Sequence, residues 1–323
     1  MASRELRMRN LSGLDSVPWL TFAMRARYPS LVHPRTRTVS ETGTEHMRRH
    51  LLALGIAAAL SVAACGDDDP TGPALEVNLG ETTLVVLVNP VINTANGVSL
   101  PSPGSARSGV SVSWAGDPPV MTDGAGVAVL GGIASGARAL SVSGSGSTGS
   151  VTASIADKDL HEIALALTSG GAAVMTNLRY AFGGEVVEIL PDTPAAQVNA
   201  QLARSNVIVL LRGGTYAGDL VFSGSDVTLF GAGVRGGEVT LQGNVSVGGS
   251  SNRIRGARIA GNLSVTGSNA GISFSRVSGS FSLVGSSAVL LNNAFCGPVT
   301  VTGSNPTMLT NAGLAPISAP SAC

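Results

Sequence analysis

The chain has 323 residues with 20 basic and 20 acidic side chains, so its formal net charge is zero. This balance argues against a nucleic-acid partner, which would need an excess of Lys and Arg. Glycine is abundant at 42 residues, and aromatic residues make up 4% of the chain. With many serines, valines and alanines, this composition favours short strands and tight turns over helices.

Residues 47–64 have the pattern of an export signal. Basic residues from Arg48 to His50 precede an apolar run from Leu51 to Ala64 that is too short to span a bilayer. The run is apolar on every side, unlike an amphipathic core helix. Its end, VAAC, resembles the lipobox of bacterial lipoproteins, in which the cysteine becomes the first residue and carries the lipid. The resemblance implies lipidation of Cys65, and the Gly66 that follows favours the outer membrane.

Residues 1–46 lie ahead of that signal and hold seven arginines. Since a signal peptide begins near the true N-terminus, we interpret these residues as an extension of the gene model, with translation starting at Met47. A disordered arm is the alternative. After the signal, residues 65–74 are rich in acids, proline and glycine and are predicted to be a solvated tether.

Residues 75–169 predict a small antiparallel β-sandwich. Strands such as GVSVSW alternate apolar and small polar residues, and the glycines of TDGAG supply a turn. The order GVSVSW, TDGAGVAVL, GARALSVSG resembles the carboxypeptidase-regulatory-like sandwich, a transthyretin-like module, which implies a non-catalytic spacer or binding domain. His161, a histidine of this region, is expected at the surface. Residues 170–185 are predicted to be a linker.

An eighteen-residue repeat occupies most of the remaining chain. A seven-residue insertion, GGEVTLQ, follows the first of five units, which begin at Gly218, Gly243, Gly261, Gly279 and Gly297. Apolar residues recur at the third, fifth, twelfth and seventeenth positions, and the seventh and eighth are Gly-Ser in every unit. Alternate residues of a strand face the same side, so these columns form ladders inside stacked coils. The pattern predicts a parallel β-helix over residues 186–314.

The predicted β-helix begins with a cap. Asp192 or Thr193 can cap a helix over Ala195 to Ala203, and a strand, NVIVLL, and a turn, RGGTY, follow. This opening resembles the N-terminal cap of the pectin-lyase-like superfamily, which implies a right-handed β-helix. A left-handed hexapeptide helix would need an aliphatic residue every six positions, which the apolar columns do not supply. The predicted fold class is all-β: a small antiparallel sandwich followed by a short right-handed parallel β-helix.

Catalytic residues, metal ligands and cofactors are not expected. Polysaccharide lyases and hydrolases of the pectin-lyase-like superfamily use clustered carboxylates, often with calcium. From Arg204 onward the chain has three acids, Asp219, Asp226 and Glu238, at unrelated positions of the repeat. This spacing predicts neither a carboxylate pair for acid–base chemistry nor the converging oxygens of a calcium site.

Four arginines form the predicted binding surface. Arg253 and Arg255 flank the inward Ile254, so both should point outward. Arg258 and Arg276 share the sixteenth position of adjacent coils, about 4.8 Å apart. Guanidinium groups bind carboxylate or sulfate bidentately, so an anionic polysaccharide or another envelope protein is the expected partner. A solvated face without a ligand is the alternative.

The repeat register also places neighbouring residues on opposite sides of a coil. Ile272 should point inward and Ser273 into solvent, so Ser273→Asp should be tolerated. Cys296 and Cys323 follow Cys65 in a chain that is predicted to be exported, where a disulfide between them is expected. That bond would tie the tail, residues 315–323, over the strand edges of the last coil.

These features favour a cell-envelope lipoprotein, attached to the membrane through the lipid on Cys65, with a non-catalytic binding or structural role. A sandwich spacer would display the β-helix. One alternative is a polysaccharide lyase or hydrolase of the pectin-lyase-like superfamily, which would need an acidic pair. A second is a polymer-forming scaffold that resembles bactofilins in its short coils, although the export signal and the terminal disulfide argue against it.

Overall fold

The computed structural model describes residues 80–93, 104, 107–144, 146–231, 237–320 and 323. Their architecture confirms the predicted all-β class, with a small sandwich followed by parallel sheets stacked as a β-helix. The predictions for residues 1–74, including lipidation of Cys65, lie outside the described residues. The right-handed sense of the β-helix stays a prediction.

The sandwich packs two four-stranded sheets face to face. The inner sheet has the order β4-β1-β7-β8, formed by β1 (Thr83–Val88), β4 (Val127–Leu130), β7 (Leu160–Thr168) and β8 (Gly171–Tyr180). The outer sheet has the order β3-β2-β5-β6, formed by β2 (Ser111–Trp114), β3 (Val120–Met121), β5 (Gly136–Gly144) and β6 (Ser147–Ile155). Since β1 pairs in parallel with β7, the inner sheet is mixed rather than wholly antiparallel.

The predicted linker over residues 170–185 is wrong for most of its length. Residues Gly171–Tyr180 form β8, which pairs antiparallel with β7 and completes the inner sheet. Met175, Leu178 and Tyr180 are buried along it. The sequence GAAVMTNLRY lacks a clean alternation at its start, and a register shift beside Ala164 and Leu165 of β7 accompanies this irregularity.

The β-helix stacks its coils into three parallel sheets. The docked sheet, named for its contact with the sandwich, contains β9 (Glu185–Ile189), β10 (Val207–Leu211), β13 (Thr228–Phe230), β16 (Arg253–Arg255), β19 (Gly271–Ser273), β22 (Val289–Leu291) and β25 (Thr307–Leu309). The lateral sheet contains β11 (Gly214–Tyr216), β14 (Val239–Leu241), β17 (Arg258–Ile259), β20 (Arg276–Val277) and β23 (Ala294–Phe295). The open sheet contains β12 (Leu220–Phe222), β15 (Val245–Val247), β18 (Leu263–Val265), β21 (Phe281–Leu283) and β24 (Val299–Val301).

The eighteen-residue register is confirmed by the strand pairing. In the docked sheet, Ile254 lies beside Ile272, and Ile272 beside Leu290. These twelfth-position side chains are 0% exposed and point into the coil. The insertion is not a simple loop, because its residues Val239–Leu241 form β14, the lateral strand of the first coil.

The glycine at the seventh position is required by stacking. A Cβ on Gly267 would lie 2.1 Å from the carbonyl oxygen of Gly249 in the preceding coil. The backbone reversal comes two residues later, where Asp226 and Asn269 have φ values of 56° and 54°. Gly-Ser therefore marks a close approach of neighbouring coils, and the left-handed residue at the ninth position makes the turn.

One end of the β-helix is covered by helix α1 (Ala195–Leu202). Its Val198 and Leu202 are buried in the β-helix core. Pro194 is the N-cap, with no side-chain hydrogen bond, so the predicted cap at Asp192 or Thr193 does not form.

At the other end, the sandwich segment that follows β1 pairs with the last strand of the docked sheet. Ile92 forms an antiparallel bridge with Leu309, and the amide N–H of Thr310 donates to the carbonyl oxygen of Val91 at 2.7 Å. The side chain of Asn93 joins a buried amide ladder, accepting from the backbone N–H of Asn311 at 2.8 Å. Residues 91–93 thus cap the backbone edge of the docked sheet.

A disulfide joins Cys296 and Cys323, with 5.4 Å between their Cα atoms, as the sequence predicts. It connects the end of the fourth repeat unit with the last residue of the chain. The tail is therefore anchored to the β-helix at both its start and its end.

Candidate functional site

The docked sheet and the inner sandwich sheet share a buried interface. Outward residues of the docked sheet, such as Phe230 and Leu291, pack with inner-sheet residues such as Leu160 and Leu178. The opposite face of the inner sheet packs on the outer sheet. Because the inner sheet is covered on both faces, every residue of β1 is buried.

A polar cluster lies inside this interface. The Nε atom of Arg255 is 2.7 Å from Oε1 of Glu162, and their side chains are 4% and 0% exposed. The hydroxyl of Tyr180 donates to Oε2 of Glu162 at 3.2 Å and is also hydrogen-bonded to Oγ of Ser273. The Arg255 guanidinium lies 4.9 Å from the ring centroid of Phe274. This cluster joins strands of the sandwich to strands of the β-helix.

Tyr180 is held in its protonated form. Burial raises the pKa of Tyr180 well above its ordinary value, and the negative charge of Glu162 raises it further. The phenol therefore acts as a donor to the carboxylate. Together with Arg255, it gives Glu162 two strong partners, which a buried carboxylate requires.

The predicted arginine surface is not formed as expected. Arg255 and Arg276 are 4% and 6% exposed, and Arg253 is half-buried and donates to the backbone carbonyl of Asn252 at 3.2 Å. Burial lowers the pKa of Arg253. Arg258 is exposed, and its Nη1 lies 3.2 Å from Oε1 of Glu238.

The predicted direction of these side chains is right, but their predicted exposure to solvent is wrong. Arg255 points away from the coil as predicted, and Arg258 lies beside Arg276 in the lateral sheet. The sandwich covers much of the outside of the docked sheet, however, so outward residues there such as Arg255 do not meet solvent. The same fact corrects Ser273, which points outward but is 0% exposed.

His161 is also buried rather than at the surface, with 3% exposure. Its Nε2 accepts from the backbone N–H of Ala156 at 3.1 Å, so Nδ1 carries the proton and donates to Oδ1 of Asn177 at 3.0 Å. Burial lowers the pKa of His161, although the bond to Asn177 opposes the shift. The neutral imidazole has a structural role between neighbouring strands.

Asp219 and Glu238, two of the three acids of the repeat, have different partners. Oδ1 of Asp219 accepts from the backbone N–H of Asn244 at 2.8 Å, which begins a ladder continued by Asn262. Glu238 pairs with Arg258. Within the described ranges, no three His, Cys, Asp or Glu side chains gather in a way that could hold a metal ion.

The outer sandwich sheet has a different feature, a shallow depression of about 550 Å³. Six hydroxyl side chains line it in two cross-strand rows: Ser111, Ser143, Thr148 in one and Ser113, Ser141, Ser150 in the other. Pro119 also lines the depression, and Met121, paired with Ser111, is 56% exposed. The lining contains no charged side chain.

Sequence reasoning missed Glu162 and Tyr180, and it missed the interface that contains them. One signal was present. The outward thirteenth position of the repeat carries Phe230, Leu291 and Leu309, which are apolar residues on a supposed solvent face. The unbroken apolar run of β1 likewise indicates a sheet covered on both faces.

Comparisons with protein-family models, with curated proteins and with solved structures find no match to this chain. In the part of the chain that the structure describes, no helix has the length and apolar character needed to cross a membrane. The family resemblances noted in the sequence therefore stay predictions.

Proposed function

We propose that the chain is a cell-envelope lipoprotein with a non-catalytic binding or structural role. The observation that carries the non-catalytic part is the structural use of its carboxylates. Glu162 is held by Arg255 and Tyr180, Asp219 supports the amide ladder, and Glu238 pairs with Arg258. A general acid or base must be free to exchange a proton with substrate. Glu162 is buried in the interface, and Asp219 and Glu238 are engaged at the surface by Asn244 and Arg258.

The lipoprotein part rests on the sequence around Cys65. A basic cluster, an apolar run, VAAC and an acidic tether follow one another in the order of a lipoprotein signal. Seventeen residues separate Cys65 from the first described strand, which begins at Thr83.

The sandwich is better described as part of the display body than as a spacer. It covers the docked sheet, contributes Glu162 to the buried ion pair and caps the last coil with residues 91–93. Partner binding would then use surfaces that this packing leaves open. Binding of an anionic glycan is disfavoured, because Arg255 and Arg276, two of the four arginines predicted to bind it, are buried.

The closed ends also disfavour a bactofilin-like polymer. End-to-end stacking of coils needs open strand edges. Helix α1 covers one end, and residues 91–93 pair with β25 at the docked-sheet edge of the other. No specific observation favours a polysaccharide lyase or hydrolase.

The proposal is tested by expressing the full chain in bacteria supplied with a fatty acid that carries a chemical tag. Wild type should acquire the tag and yield a mature N-terminus at an acylated Cys65 by mass spectrometry. Cys65→Ser should abolish the tag, whereas the matched control Cys323→Ser should retain it. A chain that keeps Met1 without the tag contradicts the lipoprotein assignment. Release of reducing or unsaturated ends from polygalacturonate or alginate contradicts the non-catalytic assignment.

A further inference from the structure

We propose that the hydroxyl-lined depression of the outer sandwich sheet binds a neutral saccharide. The inference rests on the proposed binding function and gives it a ligand class and a site. Its basis is the arrangement of six hydroxyl side chains by strand register, together with the absence of charge in the lining.

The register fixes the spacing of these hydroxyls. Neighbouring strands lie about 4.8 Å apart, and residues two positions along a strand are about 6.7 Å apart. Ser113, Ser141 and Ser150 therefore form one row across three strands, and the second row runs beside it. The grid measures about 10 Å by 7 Å on this spacing, which is the scale of one or two sugar rings.

Hydroxyl side chains suit a polyhydroxyl ligand. Each serine or threonine both donates and accepts hydrogen bonds and rotates its proton to suit its partner. Four of the six residues are exposed, namely Ser141, Ser143, Thr148 and Ser150, and Oγ of Ser141 lies 3.3 Å from Oγ of Ser150. Pro119 in the lining and the exposed Met121 beside Ser111 supply apolar surface, against which the C–H face of a sugar ring can pack.

The composition of the lining separates this ligand class from the others. An anionic or cationic ligand would find no opposite charge among the lining residues. A protein partner would need a central aromatic or arginine anchor. The one tryptophan of these strands, Trp114, points into the core and is 0% exposed. A lining without charged or aromatic side chains therefore favours an uncharged, hydrogen-bonding ligand.

The test applies the full chain, solubilised in detergent, to an array of neutral hexasaccharides of α-1,4-, β-1,4- and β-1,3-linked glucose. The same array carries the anionic polymers polygalacturonate, alginate and heparin for comparison. Ser141→Tyr fills the depression with a side chain that a strand tolerates well. Ser246→Tyr, on the exposed outward side of β15 in the open sheet, is the matched control. Ser141→Thr keeps the hydroxyl.

Wild type, Ser141→Thr and Ser246→Tyr should retain at least one neutral hexasaccharide, and Ser141→Tyr should weaken that binding at least tenfold. The proposal is overturned if wild type retains no neutral hexasaccharide, retains only the anionic polymers, or binds as tightly as Ser141→Tyr. Circular dichroism of each variant checks that the fold is kept. The acyl tag on Cys65 and the release of polymer ends are measured in separate experiments. A lack of saccharide binding would therefore leave the test of the proposed function unaffected.

Discussion

The docked sheet and the open sheet come from the same repeat but have opposite surroundings. At the thirteenth position, outward residues of the docked sheet such as Phe230, Ser273 and Leu291 are 0% exposed. At the fourth position, outward residues of the open sheet are small and largely polar, and Val221 is 45% exposed. The repeat therefore fixes which way a side chain points, while the neighbouring element decides whether that side chain contacts protein or solvent.

The largest expected effect comes from breaking the ion pair under the sandwich. Glu162→Ala leaves the Arg255 charge buried without its carboxylate, which should lower the free energy of unfolding by about 3–5 kcal/mol. Glu238→Ala breaks the exposed pair with Arg258 and should cost less than about 1 kcal/mol. Urea unfolding curves of both variants measure the contrast. Equal losses would mean that the docked sheet is open to water.

A matched serine pair in one coil tests the same contrast with a single substitution. Ser273→Asp places a carboxylate beside Tyr180 and near Glu162 in the buried interface, with an expected loss on the order of 3 kcal/mol. Ser264→Asp makes the same change on the open sheet and should stay within about 0.5 kcal/mol. Thermal unfolding at pH 7 compares them. A tolerated Ser273→Asp would show that the sandwich does not cover this sheet in solution.

The double variant Glu162→Leu with Arg255→Met asks whether the cluster is needed for stability. Replacing both charges by apolar side chains removes the desolvation penalty, so stability should return to within about 1–2 kcal/mol of wild type. Tyr180 keeps Ser273 as a partner in that variant. A loss as large as that of Glu162→Ala would instead indicate that the carboxylate has a further structural partner.

The smallest effect is expected on the open sheet itself. Val284, which directly follows β21 of the open sheet, is 56% exposed. Val284→Ala should change the free energy of unfolding by less than about 0.5 kcal/mol, because surface substitutions away from packing features have little effect. A loss above about 2 kcal/mol by urea unfolding would imply burial typical of a core residue and would reveal a partner on the open sheet.

The sequence predicted much of the β-helix because its repeat constrains every coil in the same way. Ile254, Ile272 and Leu290 form the expected inward ladder. Cys296 and Cys323 form the expected disulfide. These features depend on local periodicity and on the number of cysteines, both of which can be read from one strand or one residue type at a time.

The candidate site was predicted poorly, for a physical reason. Arg255 and Ser273 were placed on the correct side of the coil, yet their surroundings come from Glu162 and Tyr180, 93 residues earlier in the chain. The hydroxyl grid of the outer sheet likewise depends on cross-strand register. The alternating serines of these strands can be seen in the sequence, but the alignment of their hydroxyls across three strands cannot.

The all-β class, the eighteen-residue stacking register and the inward face of each coil follow from local sequence patterns, because alternation and glycine spacing act within a few residues. The tertiary structure alone decided which sheet of the β-helix is covered, where the Arg255 charge is neutralised and how residues 91–93 close the last coil. Those outcomes follow from burying two apolar faces against each other. The free energy of apolar burial depends on the buried area and has no preferred direction. Which sheets pack together is therefore defined only once the whole chain has folded.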